Sequence, residues 1–334
     1  MQKIRKNKIK VLLLENIDLE AEKFFIQKGY EVKNLVQALN EEELIGALKG
    51  VSILGIRSKT KVTKKVLENA PDLRAVGAFC IGTDQIDLLA CGHYGVSVFN
   101  APYSSTRSVV ELALGEMIML LRKVFDKSVN LHKKVWNKSS EGSFEVRGKS
   151  LGIIGYGNIG SHLSFMAEFM GMQVYYFDIA DRPALGSAKK CDSMEELLRK
   201  SDIVTLHIDA RAENHNLIGE KEFKIMRKGS YFLNLSRGKV VNLEALAHSL
   251  KSGHLAGAAV DVFPEEPKSN NEKVVNVLQK LPNVILTPHI GGSTEEAQKH
   301  IAQFVSNRLF KFMNSKNNNL SNSLSFTVET RTII

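Results

Sequence analysis

Ser150-Leu-Gly-Ile-Ile-Gly-Tyr-Gly-Asn-Ile-Gly160 is the stretch that decides how this chain folds. A short apolar run enters Gly155-x-Gly157-x-x-Gly160 and leaves as an apolar segment of helical period, so it reads as strand, turn and helix. In that context Gly155 permits a tight turn, Gly157 lets the backbone approach a pyrophosphate, and Gly160 lets helix and strand pack closely. The helix that opens there offers N–H groups and a positive dipole end to phosphates. Eighteen residues past Gly160 (178 − 160 = 18) the next strand-like run, Tyr175-Tyr-Phe-Asp178, ends in a carboxylate. Asp178 can accept hydrogen bonds from both hydroxyls of an adenosine ribose and repel a 2′-phosphate, which favours NAD over NADP. Arg182, close by, pulls weakly the other way.

Outward from this unit, short apolar runs alternate with longer segments of helical period, the pattern of parallel sheets wrapped by crossover helices. Strands are expected at Val11–Leu14, Ile53–Ile56, Ala75–Gly77 and Val96–Asn100. Others are expected at Leu151–Ile154, Val174–Phe177, Ile203–His207, Tyr231–Asn234, Ala258–Val262 and Val284–Leu286. Between the two sets Val109, Leu112, Ala113, Met117, Leu120 and Leu121 recur at helical spacing, which predicts one long helix from about Ser105 to Asn130. A further helix over Thr294–Asn314 could return the chain to the first set. The expected class is α/β, with two Rossmann-like domains built on doubly wound parallel sheets. The substrate-binding domain is discontinuous, 1–105 and 296–325, and the NAD-binding Rossmann domain is 106–295. Residues 314–334 open with Asn314-Ser-Lys-Asn-Asn-Asn-Leu-Ser-Asn-Ser323, which is linker or tail chemistry.

The 334 residues are 43% hydrophobic and 24% charged, enough to bury two ordinary cores. No apolar run reaches the roughly 18 residues that would span a bilayer. The basic start, Met1 to Lys10, passes directly into Val11-Leu-Leu-Leu14, too short for a signal-peptide core, so no membrane partner is expected. Cys80, Cys91 and Cys191 form no CxxC pair and no disulfide framework, which suits a reducing cytoplasm; no metal site is expected. The net charge of +9 comes from Lys and Arg scattered along the chain. That distribution argues against a nucleic-acid partner and leaves room for a local cluster holding a small anionic substrate.

Three segments place polar residues at the ends of successive strands, the edge where an open α/β sheet binds its ligands. They are Leu233-Asn-Leu-Ser-Arg-Gly238, Val260-Asp-Val-Phe-Pro-Glu-Glu-Pro267 and Leu286-Thr-Pro-His-Ile-Gly-Gly-Ser293. Together they supply the cation, carboxylate and imidazole that oxidising an alcohol beside a carboxylate demands. Arg237 can grip the substrate carboxylate bidentately, and His289 is the side chain type that takes and returns a proton at neutral pH. Glu266 can hydrogen-bond the second ring nitrogen and fix the tautomer. Glu265 is its neighbour, and spacing does not choose between them. Asp261, at the end of its strand, is placed to face a nicotinamide amide.

In this order, Gly-Tyr-Gly-x-Ile-Gly, Ser-Arg-Gly, Asp-Val-Phe-x-x-Glu-Pro and Thr-Pro-His-Ile-Gly-Gly resemble the signatures of the D-2-hydroxyacid dehydrogenase superfamily, and the likeness runs nearly end to end. Gly55-Ile-Arg-Ser-Lys-Thr60, Cys80-Ile-Gly-Thr83, Phe99-Asn-Ala-Pro102, Val135-Trp-Asn-Lys138 and Gly291-Gly-Ser-Thr-Glu-Glu-Ala-Gln298 resemble its phosphoglycerate dehydrogenase branch. The resemblance implies a catalytic triad of Arg237, Glu266 and His289. It implies NAD contacts from Gly155, Gly157, Asn158, Ile159, Gly160, Asp178, His207, Leu235, Ser236, Arg237, Asp261, His289, Ile290, Gly291 and Gly292. It also implies substrate contacts from Arg57, Ser58, Lys59, Ser105 and Gln298, with Lys138 reaching into a neighbouring subunit's site. Trp136 is implied in a subunit contact, within a homodimer joined through the NAD-binding domains.

A loop that follows a strand and carries two cations and a hydroxyl, Arg57-Ser-Lys59, suits a dianionic phosphate on its own chemistry. The activity the resemblance implies is NAD-dependent oxidation of D-3-phosphoglycerate, the opening step of L-serine biosynthesis. Reduction of 2-oxoglutarate or another 2-keto acid by the same triad is the alternative, and a dinucleotide-sensing binding protein without turnover is a distant one. Lys59 stands where the branch often has arginine, and Ser105 where it often has asparagine. The branch usually carries a C-terminal regulatory domain that binds serine. The sequence stops about where the linker to it would end, so serine feedback and a tetramer built through that domain are expected to be absent.

Overall fold

Val, Ile, Leu and Ala occupy consecutive positions in most of the expected strands rather than alternate ones, as required where helices cover both faces of a parallel sheet. The computed structural model of the protein describes residues 9–267 and 272–315. In chain order its strands are β1 (Lys10–Leu13), β2 (Glu31–Asn34), β3 (Ile53–Ile56), β4 (Ala75–Ala78), β5 (Ser97–Phe99), β6 (Ser150–Ile154), β7 (Gln173–Phe177), β8 (Lys189–Lys190), β9 (Ile203–Leu206), β10 (Ser230–Asn234), β11 (Leu255–Val260) and β12 (Val284–Leu286). The α-helices are α1 (Leu19–Gln27), α2 (Glu41–Ala47), α3 (Lys64–Glu68), α4 (Leu88–His93), α5 (Thr106–Arg122), α6 (Val124–His132), α7 (Asn158–Phe169), α8 (Met194–Lys200), α9 (Glu220–Ile225), α10 (Leu243–Lys251) and α11 (Glu295–Asn314).

These elements form two units: one takes the chain as far as Ser105 and resumes at Thr294, and the other is Thr106–Ser293. The first holds a five-stranded parallel sheet in the order β2-β1-β3-β4-β5. Val11, Leu13 and Ile53 face Phe25 of α1 and Ile301, Val305 and Leu309 of α11, while Leu12, Leu54 and Val76 face Leu44, Val66 and Ala90 of α2, α3 and α4. Helix α11 thus completes the core of the unit that the chain left nearly two hundred residues earlier (294 − 105 = 189). The second unit holds a seven-stranded sheet in the order β12-β11-β10-β9-β6-β7-β8. One face packs Leu151 and Ile153 on Val110 and Met117 of α5 and Leu163 of α7. The other packs Val204 and Phe232 on Leu197, Phe223 and Leu246 of α8, α9 and α10.

Each sheet reverses its winding once, between β1 and β3 in the first and between β6 and β9 in the second. Crevices at such reversals, beyond the carboxyl ends of the strands, are where this architecture binds ligands. Glu15 and Arg57 follow the flanking strands in the first unit; Gly155 and His207 follow them in the second.

The structure corrects several expectations. Strands β2 and β8 were not anticipated. Glu31-Val-Lys-Asn34 alternates exposed and half-buried residues at a sheet edge, and Lys189-Lys190 is exposed throughout, so neither carries the apolar run that marks a buried strand. Leu206 ends β9 before His207, and β11 spans Leu255–Val260 rather than ending at Val262. The single helix expected from Ser105 to Asn130 is two, because Lys123 adopts the left-handed conformation (φ 51°) between α5 and α6. The apolar period continues across the break, which therefore leaves no trace in the pattern. The tail expected at 314–334 lies, from residue 316 on, outside the described residues. Among the described residues no helix is long and apolar enough to cross a membrane.

Candidate active site

At the reversal point of the second sheet, the three glycines have three different physical requirements. Gly155 sits at φ +92°, and a Cβ there would lie 2.4 Å from the carbonyl oxygen of His207. At Gly160 a Cβ would lie 2.1 Å from the carbonyl oxygen of Gly155, so strand and helix meet there at backbone distance. At Gly157 a Cβ would meet nothing within 4 Å. That residue is the N-cap of α7 with no side-chain cap, so the space over it and the N–H groups of the first helical turn suit an incoming pyrophosphate. Asn158 is steered by a hydrogen bond to the Thr106 hydroxyl, and Ile159 is half-buried beside it. Asp178, at the end of β7, accepts from the Tyr156 N–H (2.7 Å) and the Ala180 N–H (2.9 Å), which fixes its carboxylate at the position expected for an adenosine ribose. His207 accepts or donates at Nε2 to the Thr205 hydroxyl (3.1 Å), while its buried Nδ1 has no partner among the described residues. Burial pushes this imidazole down to about 4, so it is neutral at physiological pH.

Arg237, Glu266 and His289, the residues expected to form a triad, come from loops after β10, β11 and β12. Asn234 accepts from the Ser236 N–H (3.1 Å) and hydroxyl (2.8 Å) and donates to the Arg237 carbonyl (3.0 Å), which sets the turn Leu235-Ser-Arg237. A Cβ on Gly238 would fall 1.9 Å from the Phe263 carbonyl carbon. The glycine therefore allows the loop carrying Glu266 to lie directly on the loop carrying Arg237. Glu266 Oε2 meets His289 Nδ1 at 2.7 Å, and His289 Nε2 has no partner among the described residues. Burial alone would raise the Glu266 carboxyl. The His289 hydrogen bond and charge, the Phe263 N–H and the Arg237 charge outweigh it, and the net shift is downward. Of the two carboxylates between which spacing did not choose, Glu266 is the one bonded to His289.

His289 itself is held at φ +54°, a conformation non-glycine residues rarely adopt without support. The support is Asp261, 1% exposed. Its carbonyl accepts from the His289 N–H (2.7 Å), its Oδ1 from the Thr287 hydroxyl (2.6 Å) and the Ile290 N–H (2.8 Å), and its Oδ2 from the Gly291 N–H (2.8 Å). Burial raises the Asp261 carboxyl despite these bonds and the nearby His289. Asp261, expected from the sequence to face a nicotinamide amide, has carboxylate oxygens that brace the Thr287–Gly291 loop. Reading also missed Glu116, a fully buried carboxyl on α5 that contacts Thr287 Oγ1 at 3.4 Å. The available signal was its place among Ala113, Met117 and Leu120 on the apolar face of α5.

In the first unit, Arg57 is half-buried and Ser58 and Lys59 are exposed at the reversal point after β3. Glu15, itself at φ 64°, accepts from the Lys59 N–H (2.9 Å) and the Thr60 N–H (2.8 Å) and so shapes that loop. Ser105 is 2% exposed, Gln298 is half-buried in the first turn of α11, and Lys138 is exposed in the segment after α6. Gly292 is half-buried and Ile290 is exposed. Among the described residues no group of three or more His, Cys, Asp or Glu could hold a metal ion.

A glycine cradle at one reversal point, with an arginine and a carboxylate-braced imidazole on neighbouring strand ends, defines a class of enzyme: dinucleotide-dependent dehydrogenases of 2-hydroxy acids. Residues 114–291 match the family model of the D-isomer specific 2-hydroxyacid dehydrogenase NAD-binding domain, and the chain belongs to that family. Along 93% of its length it is 54% identical to D-3-phosphoglycerate dehydrogenase of Dictyostelium discoideum, covering 76% of that protein. It is 46% identical to D-3-phosphoglycerate dehydrogenase of Escherichia coli K12, over 92% of this chain and 76% of the other. Among solved structures, D-lactate dehydrogenase of Aquifex aeolicus, complexed with NAD and lactic acid, superposes with a TM-score of 0.80 at 27% identity, over 91% of this chain and 95% of the other.

Proposed function

We propose that this enzyme oxidises D-3-phosphoglycerate at C2 to 3-phosphohydroxypyruvate with NAD, the first step of L-serine biosynthesis. The carrying observation is the 2.7 Å bond between Glu266 and His289 Nδ1. It leaves Nε2 as the ring atom that takes the hydroxyl proton as the C2 oxygen becomes a carbonyl. Bound NAD supplies the acceptor for the hydride that leaves C2. Arg237 holds the substrate carboxylate and polarises the forming carbonyl. Glu266, kept ionised, steadies the imidazolium until the proton passes to solvent. Arg57, Ser58 and Lys59 hold the phosphate, with Ser105 and Gln298 completing the substrate contacts. The relatives named D-3-phosphoglycerate dehydrogenase support that substrate.

We further propose a cytoplasmic homodimer joined through the NAD-binding unit, with Lys138 serving the partner's site. Its support is the exposed apolar set Val124, Phe125, Leu131, Val135, Trp136 and Phe144, of which Trp136 is 77% exposed; a soluble monomer rarely leaves so many large apolar groups together in one segment.

Two variants test the reading. His289→Ala should abolish turnover, and retained turnover would contradict the acid–base role. Arg57→Ala should remove activity on 3-phosphohydroxypyruvate and spare 2-oxoglutarate. Equal losses on both acids would contradict the phosphate role.

A further inference from the structure

Glu116, Thr287 and Asp261 present a problem of proton counting. The Thr287 hydroxyl has one proton and two carboxyl neighbours, Asp261 Oδ1 at 2.6 Å and Glu116 Oε1 at 3.4 Å. The proton belongs on the short bond to Asp261, whose oxygens also receive the Ile290 and Gly291 N–H groups and therefore act purely as acceptors. Thr287 is then left with a lone pair toward Glu116, and a hydrogen bond across that contact requires a proton from Glu116. The second oxygen, Oε2, is buried with no partner among the described residues. An ionised carboxylate in that position would leave charge unsolvated in an apolar core, whereas a neutral acid leaves only a carbonyl oxygen.

We propose that Glu116 is a positioning residue held as the neutral acid, donating through Thr287 to Asp261 and thereby fixing the left-handed turn that presents His289. The chain of bonds runs from the Glu116 hydroxyl to Thr287 Oγ1, from the Thr287 hydroxyl to Asp261 Oδ1, and from the His289 N–H to the Asp261 carbonyl. Burial and the Asp261 charge raise the Glu116 carboxyl to about 8, with the Thr287 contact opposing. Among the described residues the charged group acting on it is Asp261, with His289 beyond; Arg107 and Glu111 on the same helix are exposed and pair with each other. Above about pH 8 the acid ionises, a second negative charge stands beside Asp261, and the turn loosens.

This rests on the acid–base role given to His289, so one readout must not require turnover. Infrared difference spectra of the whole protein, wild type minus Glu116→Gln, should contain the carbonyl band of a protonated buried acid at neutral pH, disappearing as pH rises through about 8. In steady-state assays Glu116→Ala should lower kcat about fivefold, equivalent to the roughly 1 kcal/mol of one positioning hydrogen bond. Glu116→Gln, whose amide donates but cannot ionise, should recover most of that loss and no longer slow on the alkaline side. Absence of the band at neutral pH would overturn the proposal, as would an unchanged kcat in Glu116→Ala or a wild-type alkaline limb in Glu116→Gln. Turnover surviving in His289→Ala with the band present would instead count against the acid–base reading alone.

Discussion

Gly157→Ala and Gly160→Ala separate what the fold requires from what the dinucleotide requires. At Gly160 the added Cβ would start 2.1 Å from the Gly155 carbonyl oxygen, where real contacts stay beyond 3.0 Å, so helix and turn must part by about 0.9 Å (3.0 − 2.1). Such overpacking costs about 1–3 kcal/mol, or a fall in melting temperature of several degrees. At Gly157 the Cβ meets nothing within 4 Å and the backbone, at φ −74°, accommodates alanine. The cost to stability is at most about 1 kcal/mol, that of alanine at an N-cap. The methyl group does occupy the approach of the pyrophosphate to the first turn of α7, so NADH affinity should fall at least about tenfold, or about 1.4 kcal/mol. Thermal melts and NADH fluorescence titrations of both variants read the two effects separately. A Gly157→Ala protein that binds NADH as tightly as the wild type would refute the reasoning, as would a Gly160→Ala protein that melts with it.

Three further outcomes are expected. Asp178→Ser removes the carboxylate that repels a 2′-phosphate, so the NADPH-to-NADH ratio of kcat/KM should rise at least about tenfold. Steady-state rates with each cofactor measure it, and an unchanged ratio counts against the ribose role. Glu116 holds a proton up to about 8 in the folded chain against an ordinary value of 4.5, so above 4.5 the unfolded chain binds fewer protons and wild-type stability falls as pH rises, levelling beyond 8. The advantage of Glu116→Gln in denaturant melts should therefore grow by about 1.4 kcal/mol per pH unit across that window, and a pH-independent difference would contradict it. Glu15→Ala deletes the acceptor of the Lys59 and Thr60 N–H bonds. It should raise KM for 3-phosphohydroxypyruvate about tenfold and leave that for 2-oxoglutarate unaltered; parallel changes in both would show that Glu15 serves the fold in general.

Both sheets were legible where strands are buried on both faces, because Ile53-Leu-Gly-Ile56 or Leu151-Gly-Ile-Ile154 can be accommodated only inside such a sheet. Strands β2 and β8 escaped because edge strands carry polar side chains and borrow their hydrogen bonds from a neighbour. The break at Lys123 escaped because a single left-handed residue does not disturb an apolar period. Within the candidate site, Arg237 and His289 stood out because their chemistry and their place after strands coincide, with a carboxylate at 265 or 266 beside them. Gly238 shows why Glu266 could not be chosen over Glu265 by spacing: the selection is made by one loop lying on another, a contact between residues 25 positions apart (263 − 238). Glu15, Glu116 and the bracing role of Asp261 act through bonds to distant backbone or hydroxyl groups, which no local pattern records.

NADH oxidation at neutral pH, with 3-phosphohydroxypyruvate and 2-oxoglutarate offered separately to the wild-type protein, measures the substrate preference itself. The kcat/KM for the phosphorylated acid should be at least about a hundredfold higher, since a dianion held by two cations adds about 3 kcal/mol of binding. Equal or greater efficiency with 2-oxoglutarate would contradict it and reassign the Arg57–Lys59 loop.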